Sequence, residues 1–135
     1  RRILSANLGI GSRLPAHIIS LGRVLLAALP PDRREEVLAA IDYKAITPRT
    51  VTSAKKLAEE LAKVEAQGYA WIDGELDPAI CGIAVPVRDQ AGNAVAAISI
   101  NTVSGTVDEA DAKKRFLVAL QRTAQDIRTQ VTTSM

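Results

Sequence analysis

Two apolar segments joined by a short turn constrain the fold of this chain most strongly. Residues 80–88 and 94–102 are rich in Val, Ile and Ala, and the five residues between them include Gly92, which favours a turn. The pattern predicts an antiparallel β-hairpin. Pro86 predicts a free edge or a bulge in the first strand, because proline has no N–H to donate. Further strands are predicted at residues 2–8 and 69–73.

Apolar residues recur at helical spacing in the segments around these strands. Thr52 or Ser53 can cap the third predicted helix and Gly68 can end it, while Thr106 and Glu109 have the spacing of a capping box before the last helix. Strands and helices in this order predict an α+β domain in which helices pack on an antiparallel sheet. The predicted helices cover residues 20–29, 32–41, 53–67 and 106–129.

The composition argues against binding of nucleic acid or membrane by this segment. Lys and Arg number 17 against 15 Asp and Glu, and no basic run is long enough to follow a phosphate backbone. No apolar run reaches the ~18 residues of a membrane span. Cys81 is the single cysteine and cannot form an internal disulfide, which fits a reducing cytoplasm. Because no initiator methionine opens the chain, we expect a fragment of a longer cytoplasmic protein.

The residue inventory favours a protein that is not an enzyme and carries no metal or cofactor. His17 is the only histidine, and one histidine with one cysteine cannot form a closed zinc site. No motif of a nucleophile elbow, a metalloprotease or a phosphate loop occurs, and the acidic residues lie mostly on predicted helix surfaces. The alternative, a small enzyme on this scaffold, would need His17 beside Cys81 or Ser99.

The two faces of the last predicted strand differ in character. Ile98 and Ile100 point to one face and belong in a core, whereas Ser99 and Asn101 point to the other face, two residues apart. A small, polar face behind a large aliphatic face predicts a sheet that lines a cavity. The alternative is that Ser99 and Asn101 face solvent.

The start of the first predicted helix has the features of an anion site. Ser20 can act as its N-cap, which leaves the N–H groups of Leu21 and Gly22 directed out of the helix, and Gly22 has no side chain to obstruct a ligand. The helix dipole adds attraction for a carboxylate. His17 could donate to a ligand oxygen and Trp71 could stack on an aromatic ring, although packing alone would also explain both residues.

Several short motifs are spread over almost the whole chain. They are G-S-R-L-P-A-H at residues 11–17, S-L-G-R-V-L-L-A at 20–27, T-V-T at 50–52, Q-G-Y-A at 67–70, I-A-V-P-V-R-D at 83–89 and A-A-I-S-I at 96–100. Together they resemble the effector-binding domains of the IclR family of bacterial transcription regulators, in the family's order and nearly at its spacing. Within the family, the chain is similar to the branch that governs protocatechuate and β-ketoadipate catabolism.

The resemblance implies that residues 1–135 form a GAF-like effector-binding domain that lacks its first strands. A winged helix-turn-helix domain would precede it in a longer protein, and DNA would be contacted only through that missing domain. The family also implies a small organic acid as effector and assembly into a homodimer or homotetramer. An oligomerisation module that binds no ligand is the alternative.

The resemblance further implies which residues meet the effector. The effector carboxylate would bind backbone amides at the start of the first helix, two polar side chains of the last strand would complete the site, and two apolar residues would form its wall. These positions are Ser20 and Leu21, Ser99 and Asn101, and Leu14 and Ile80, respectively.

Two positions of the implied site depart from the family pattern. Ile72 stands where many members have an acidic residue, and Cys81-Gly82 stands where many have Arg followed by Cys or Ser. A hydrogen-bonding group is lost at each position, which argues against a small keto acid. Because Gly82 has no side chain, we expect the site to admit a larger or more apolar effector, either an aromatic or a dicarboxylic acid.

Overall fold

A three-stranded antiparallel sheet forms the centre of the part of the chain that the computed structural model describes, residues 9–134 with side chains to residue 131. The strand predicted at residues 2–8 lies outside the described residues. In the sheet, the strands follow one another in chain order, so each pairs with its sequence neighbour. The strands are β1 (Ala70–Asp73), β2 (Ile80–Arg88) and β3 (Ala94–Val103).

The hairpin of β2 and β3 confirms the prediction of an antiparallel pair from the sequence. Its Cα partners run from Ile80 opposite Val103 to Val87 opposite Ala96, and the register then shifts between Val87 and Arg88. The irregularity lies one residue beyond Pro86, whose missing N–H predicts a bulge in this strand.

Helices cover both faces of this sheet and confirm the predicted α+β class. The first three helices are α1 (Ser20–Ala27), preceded by a 3₁₀ turn (Ala16–Ile18), α2 (Pro31–Ala40) and α3 (Ala54–Gln67). The last helix, α4, begins as Glu109–Ala112, is π-helical over Lys113–Leu117 and continues as Val118–Ser134. α1 packs against α3 and against β2, while α4 packs against the opposite face of β2.

The ends of α3 are the ones that its sequence predicts. The Ser53 side chain accepts a hydrogen bond from the Lys56 N–H at 3.1 Å, which identifies Ser53 rather than Thr52 as the cap. Gly68 adopts a φ of 83° at the other end and donates its N–H to Val64 at 2.8 Å. Glycine suits this left-handed position because it has no Cβ to clash.

The predicted capping box of α4 is wrong by two residues. Asp108, not Thr106, caps the helix, since its side chain accepts from the Asp111 N–H at 2.8 Å and Asp111 accepts from the Asp108 N–H at 3.3 Å. The Thr106 hydroxyl instead donates to the Val103 carbonyl in the preceding turn. An aspartate side chain also supplies the negative charge that the first turn of a helix favours, which a threonine lacks.

The alternation of side chains along the strands divides the core into two clusters. Ala70, Ala84 and the partly buried Ala97 face α1 and α3, where small side chains let the helices approach the sheet closely. Larger residues, including Ile83 and Val85, face α4. The partly buried Ile98 and Ile100 pack on the α4 side, as predicted. The cavity described next lies on the face with the small side chains.

Candidate functional site

A cavity of about 230 Å³ lies between the start of α1, the sheet and the loop that joins β1 to β2. Most of its wall is aliphatic, and its polar groups come from the α1 end, from β3 and from the β1–β2 loop. The structure places seven of the eleven predicted site residues around it: Leu14, Ser20, Leu21, Ile72, Ile80, Gly82 and Asn101.

The helix start at this cavity has no side-chain cap. Ile19 occupies the N-cap position and Ser20 is the first helical residue, so the prediction of Ser20 as the N-cap is wrong. The first intrahelical bond runs from the Arg23 N–H to the Ile19 carbonyl at 3.0 Å. No described residue accepts a hydrogen bond from the N–H of Ser20 or Leu21, which an α-helix leaves unpaired in its first turn. These two amides and the helix dipole therefore favour an anion at this end.

Gly82, Asn101 and Ser20 meet at one point of the cavity. Gly82 pairs with Asn101 across the hairpin, so both belong to the same face of the sheet. A Cβ built on Gly82 would lie 2.2 Å from Asn101 Oδ1 and 3.2 Å from Ser20 Oγ. Gly82 thus leaves the space that the Asn101 amide occupies, which corrects the expectation that this space is free for a larger effector.

Ser99 supports the site from one residue away. It does not line the cavity, but its Oγ accepts a hydrogen bond from Asn101 Nδ2 at 3.1 Å. Because the Asn101 amide nitrogen is used in this way, its Oδ1 is the atom directed towards Gly82 and the cavity. Ser99 therefore orients Asn101 rather than touching the cavity itself.

Position 22 requires a glycine because the backbone packs closely there, and not because a ligand approaches it. A Cβ at Gly22 would lie 2.0 Å from the backbone oxygen of Ala16, far inside any contact distance. The residue lets α1 pack against the 3₁₀ turn that precedes it, and it does not line the cavity.

His17 and Trp71 also lie outside the cavity lining. His17 is buried, and its ring packs edge-on against Tyr43 with the centroids 5.8 Å apart. Burial, followed by the charge of Arg23, lowers the pKa of His17, although Glu75 acts in the opposite direction. Trp71 lies in the α4-facing cluster, because its neighbour Ile72 uses the cavity face of β1.

The β1–β2 loop contributes cavity residues that the sequence reading missed. Glu75, Leu76 and Asp77 all line the cavity and are buried, despite the expectation that acidic residues lie on helix surfaces. Two threonines hold the loop in place: the Thr47 hydroxyl donates to the Gly74 carbonyl at 2.6 Å, and the Thr50 hydroxyl donates to the Glu75 carbonyl at 2.7 Å. The acidic residues on both sides of Leu76 are the sequence feature that could have indicated this loop as part of the site.

Arg23 and Glu75 form a buried ion pair behind the cavity wall. Arg23 is 1% exposed, and its Nη2 lies 2.7 Å from Glu75 Oε1. The same guanidinium donates from Nε to the His17 carbonyl at 2.9 Å and lies 3.8 Å from Glu60 Oε1. Glu75 Oε1 also accepts from the Val51 N–H at 3.0 Å. The pair connects α1, α3 and the loop, and it neutralises one of the two cavity acids.

Asp77 is the second cavity acid, and it has no such partner. It is 3% exposed, and its Oδ1 accepts a hydrogen bond from the Ala79 N–H at 2.9 Å. Its Oδ2 is buried and makes no hydrogen bond with any described residue. A buried carboxylate oxygen without a donor is rare in folded proteins and calls for an explanation.

The side chains that an enzyme alternative would require form no hydrogen-bonded pair among the described residues, although Cys81 lines the cavity. Cys81 Sγ contacts the Thr102 carbonyl at 3.6 Å, and burial raises the pKa of this thiol. Ser99 is bonded to Asn101, and no hydrogen bond joins His17 to either residue. Residues 9–134 contain no group of three or more potential metal ligands, and none of their helices is long and apolar enough to cross a membrane.

Comparison with known proteins places the chain among domains of bacterial transcription regulators. The family model described as the C-terminal region of the bacterial transcriptional regulator IclR matches residues 1–129. The chain therefore belongs to the IclR C-terminal family, which confirms the resemblance drawn from its motifs.

Individual relatives agree with the branch that the motifs indicated. The Pca regulon regulatory protein of Pseudomonas putida is 37% identical over 126 residues, which are 93% of this chain and 43% of the relative. A transcriptional regulator from Rhodococcus sp. RHA1 superposes with a TM-score of 0.90 at 36% identity, over 98% of this chain and 53% of that one. The chain thus spans about half the length of these relatives.

A solved structure with a bound acid is also similar. The inducer-binding domain of PobR from Acinetobacter, a double mutant in complex with 3-hydroxybenzoic acid, superposes with a TM-score of 0.82 at 31% identity. The match covers 89% of this chain and 69% of that chain.

Proposed function

We propose that residues 1–135 form the sensing domain of an IclR-type regulator and bind a small organic acid in the cavity at the start of α1. The effector carboxylate accepts hydrogen bonds from the N–H groups of Ser20 and Leu21. Asn101 supplies a polar side chain from β3, and the aliphatic wall, including Ile72 and Ile80, holds the body of the molecule. The observation that carries this proposal is the uncapped helix start beside a partly open, mostly aliphatic cavity.

The size of the cavity limits the effector to a small molecule. Its volume of about 230 Å³ lies below the range of ~300–1,000 Å³ that is typical of sites for drug-sized ligands. An aliphatic wall favours an aromatic or dicarboxylic acid over one without an apolar body, because burial of apolar surface contributes ~25 cal/mol per Å². The acid bound to PobR fits this description.

Effector binding changes DNA affinity only if the ligand prefers one arrangement of the assembled regulator. In this proposal the DNA-binding domain is a winged helix-turn-helix in the N-terminal part of a longer cytoplasmic protein. The assembly is a homodimer or homotetramer.

Titration calorimetry of the chain with protocatechuate, β-ketoadipate and pyruvate tests the proposal. We expect the tightest binding from an acid with an apolar body, and tightest binding of pyruvate would contradict it. Gly82→Ala should weaken binding by about 2–10-fold, because its new Cβ displaces the Asn101 amide, whose Oδ1 accepts from a neutral donor of the effector, and such a hydrogen bond contributes about 0.5–1.5 kcal/mol.

Gly9→Ala is the matched control for this substitution. A Cβ at Gly9 would meet nothing within 4 Å, and the residue does not line the cavity, so its affinity should equal that of the parent chain. If no acid binds while the oligomer stays intact, the chain is an assembly module. Equal affinities for the Gly82 and Gly9 variants would remove Asn101 from the site.

A further inference from the structure

We propose that Asp77 selects effectors that carry a hydrogen-bond donor, a hydroxyl group above all, and rejects those that carry a second carboxylate. The inference rests on the proposed function and narrows its chemistry. It starts from the buried Oδ2 of Asp77, which lies in the cavity lining without a donor from any described residue.

The orientation of Asp77 is set by the protein itself. Its Oδ1 accepts from the Ala79 N–H at 2.9 Å, and Ile80 donates its N–H back to the Asp77 carbonyl at 3.1 Å. This tight turn at the end of the β1–β2 loop holds the carboxylate at 3% exposure. The carboxylate of this cavity-lining residue is therefore held by a fixed local structure, with Oδ2 buried in the cavity wall and without a donor.

Glu75 shows by contrast what a purely structural acid looks like in this loop. Its Oε1 receives both the Arg23 guanidinium at 2.7 Å and the Val51 N–H at 3.0 Å. Among residues 9–134, Arg23 is the only basic residue that pairs with either cavity acid, and its contacts are with Glu75, Glu60 and the His17 carbonyl. Asp77 has no cation to neutralise it among the described residues. A buried acceptor left unpaired costs free energy, which a donor from a ligand recovers.

The charge of the cavity then decides which donor chemistry fits. An effector whose first carboxylate lies at the Ser20 and Leu21 amides brings its remaining substituents into the same small cavity as Asp77. A second carboxylate there would face a like charge in a partly desolvated site, where repulsion is poorly screened. A hydroxyl donates to Oδ2 without adding charge. Of the aromatic and dicarboxylic acids expected as effectors, the dicarboxylic acids are therefore disfavoured, and an acid that carries a hydroxyl group is favoured.

Four ring acids that differ at one position test this inference by titration calorimetry on the chain. They are 3-hydroxybenzoate, 3-methoxybenzoate, benzoate and benzene-1,3-dicarboxylate, which offer a donor, an acceptor, no polar group and a second anion. We expect 3-hydroxybenzoate to bind at least about tenfold more tightly than each of the others, the gain of one hydrogen bond to a charged group.

Asp77→Asn should remove this preference. The asparagine keeps an oxygen for the Ala79 N–H but places an amide donor where Oδ2 stood, so the advantage of the hydroxyl over the methoxy compound should fall by about tenfold and the dicarboxylate should gain affinity. Asp89→Asn is the matched control, the same chemical change in the β2–β3 turn away from the cavity, and it should leave all four affinities unchanged.

The stability of the free chain separates recognition from a structural role. Because Oδ2 makes no hydrogen bond with any residue that the structure describes, Asp77→Asn should leave the urea midpoint unchanged or raise it. A lower midpoint with an unchanged ligand preference would assign Asp77 to the structure and overturn its role in selection. Equal affinities of the four acids would overturn that role and leave the proposed function standing, and binding of none would overturn both.

Discussion

Loss of the Arg23 guanidinium should destabilise this domain more than loss of any surface charge. The side chain is 1% exposed and holds Glu75 at 2.7 Å. Arg23→Met fills a similar volume but leaves the Glu75 carboxylate buried with one donor, the Val51 N–H at 3.0 Å. Breaking a buried ion pair by removing one partner typically costs about 3–5 kcal/mol, and the remaining donor favours the lower end. We therefore expect a loss of about 3 kcal/mol in the free energy of unfolding.

Urea unfolding followed by circular dichroism measures this loss directly. With a slope of about 1–3 kcal/mol per M, the midpoint should fall by roughly 1–3 M at an unchanged slope. Arg33→Met is the matched control, because Arg33 pairs with Glu36 at 3.4 Å with side chains 60% and 72% exposed, and such pairs contribute ~0–1 kcal/mol.

The double variant Arg23→Met/Glu75→Gln identifies the cause of the loss. It removes the buried Glu75 charge that Arg23→Met leaves unpaired and should recover part of the stability. The effects of the two substitutions on the free energy of unfolding are therefore not additive. A single Arg23→Met variant as stable as the Arg33 control would refute the reasoning. So would a double variant less stable than Arg23→Met alone, because the penalty would then not come from an unpaired carboxylate.

Two further substitutions test packing and titration. Gly22→Ala should lower the urea midpoint, because its Cβ would lie 2.0 Å from the Ala16 oxygen and overpacking costs about 1–3 kcal/mol or more. This cost exceeds the ~1 kcal/mol by which alanine favours a helix over glycine. A raised midpoint would contradict the close packing. Burial, and then the hydrogen bond to Glu109, raises the pKa of Tyr69 from 10.0 to about 12. Its stabilising contribution is therefore complete below pH 10.0 and lost as the pH rises towards about 12, so the midpoint of Tyr69→Phe should change less over this interval, and equal slopes would contradict the assignment.

The elements that the sequence predicts well are those specified by local chemistry. The β2–β3 hairpin follows from alternating apolar residues around a turn, and both ends of α3 follow from Ser53 and Gly68. The start of α1 was predicted less well, because serine at position 20 looks like a cap. Ile19 takes that place with extended backbone angles and no side-chain bond, which leaves the amides free. The anion site survives this error because it depends on unpaired N–H groups and not on the identity of the cap.

One error could have been avoided from the sequence alone. Trp71 and Ile72 are adjacent in β1, and the side chains of adjacent strand residues point to opposite faces, so only one of the two is expected on the face that carries Asn101. Ile72 is that residue, because it pairs with Gly82, which in turn pairs with Asn101. If Asn101 is taken as a site residue, the two-residue period of the strand therefore places Trp71 on the opposite face of the sheet.

The roles of Glu75 and Asp77, in contrast, could not be read from local pattern. Both belong to a short acidic loop that resembles a solvated turn, and the residue that distinguishes them lies 52 positions away from Glu75. The fold brings Arg23 to one of two acids and leaves the other with an unpaired oxygen in the cavity wall. Charge pairing across α1 and the β1–β2 loop thus turns two similar carboxylates into one structural group and one group available to a ligand. For this reason, the effector preference of the site should depend on whether each acid has a partner within the domain, and not on how many acids line the cavity.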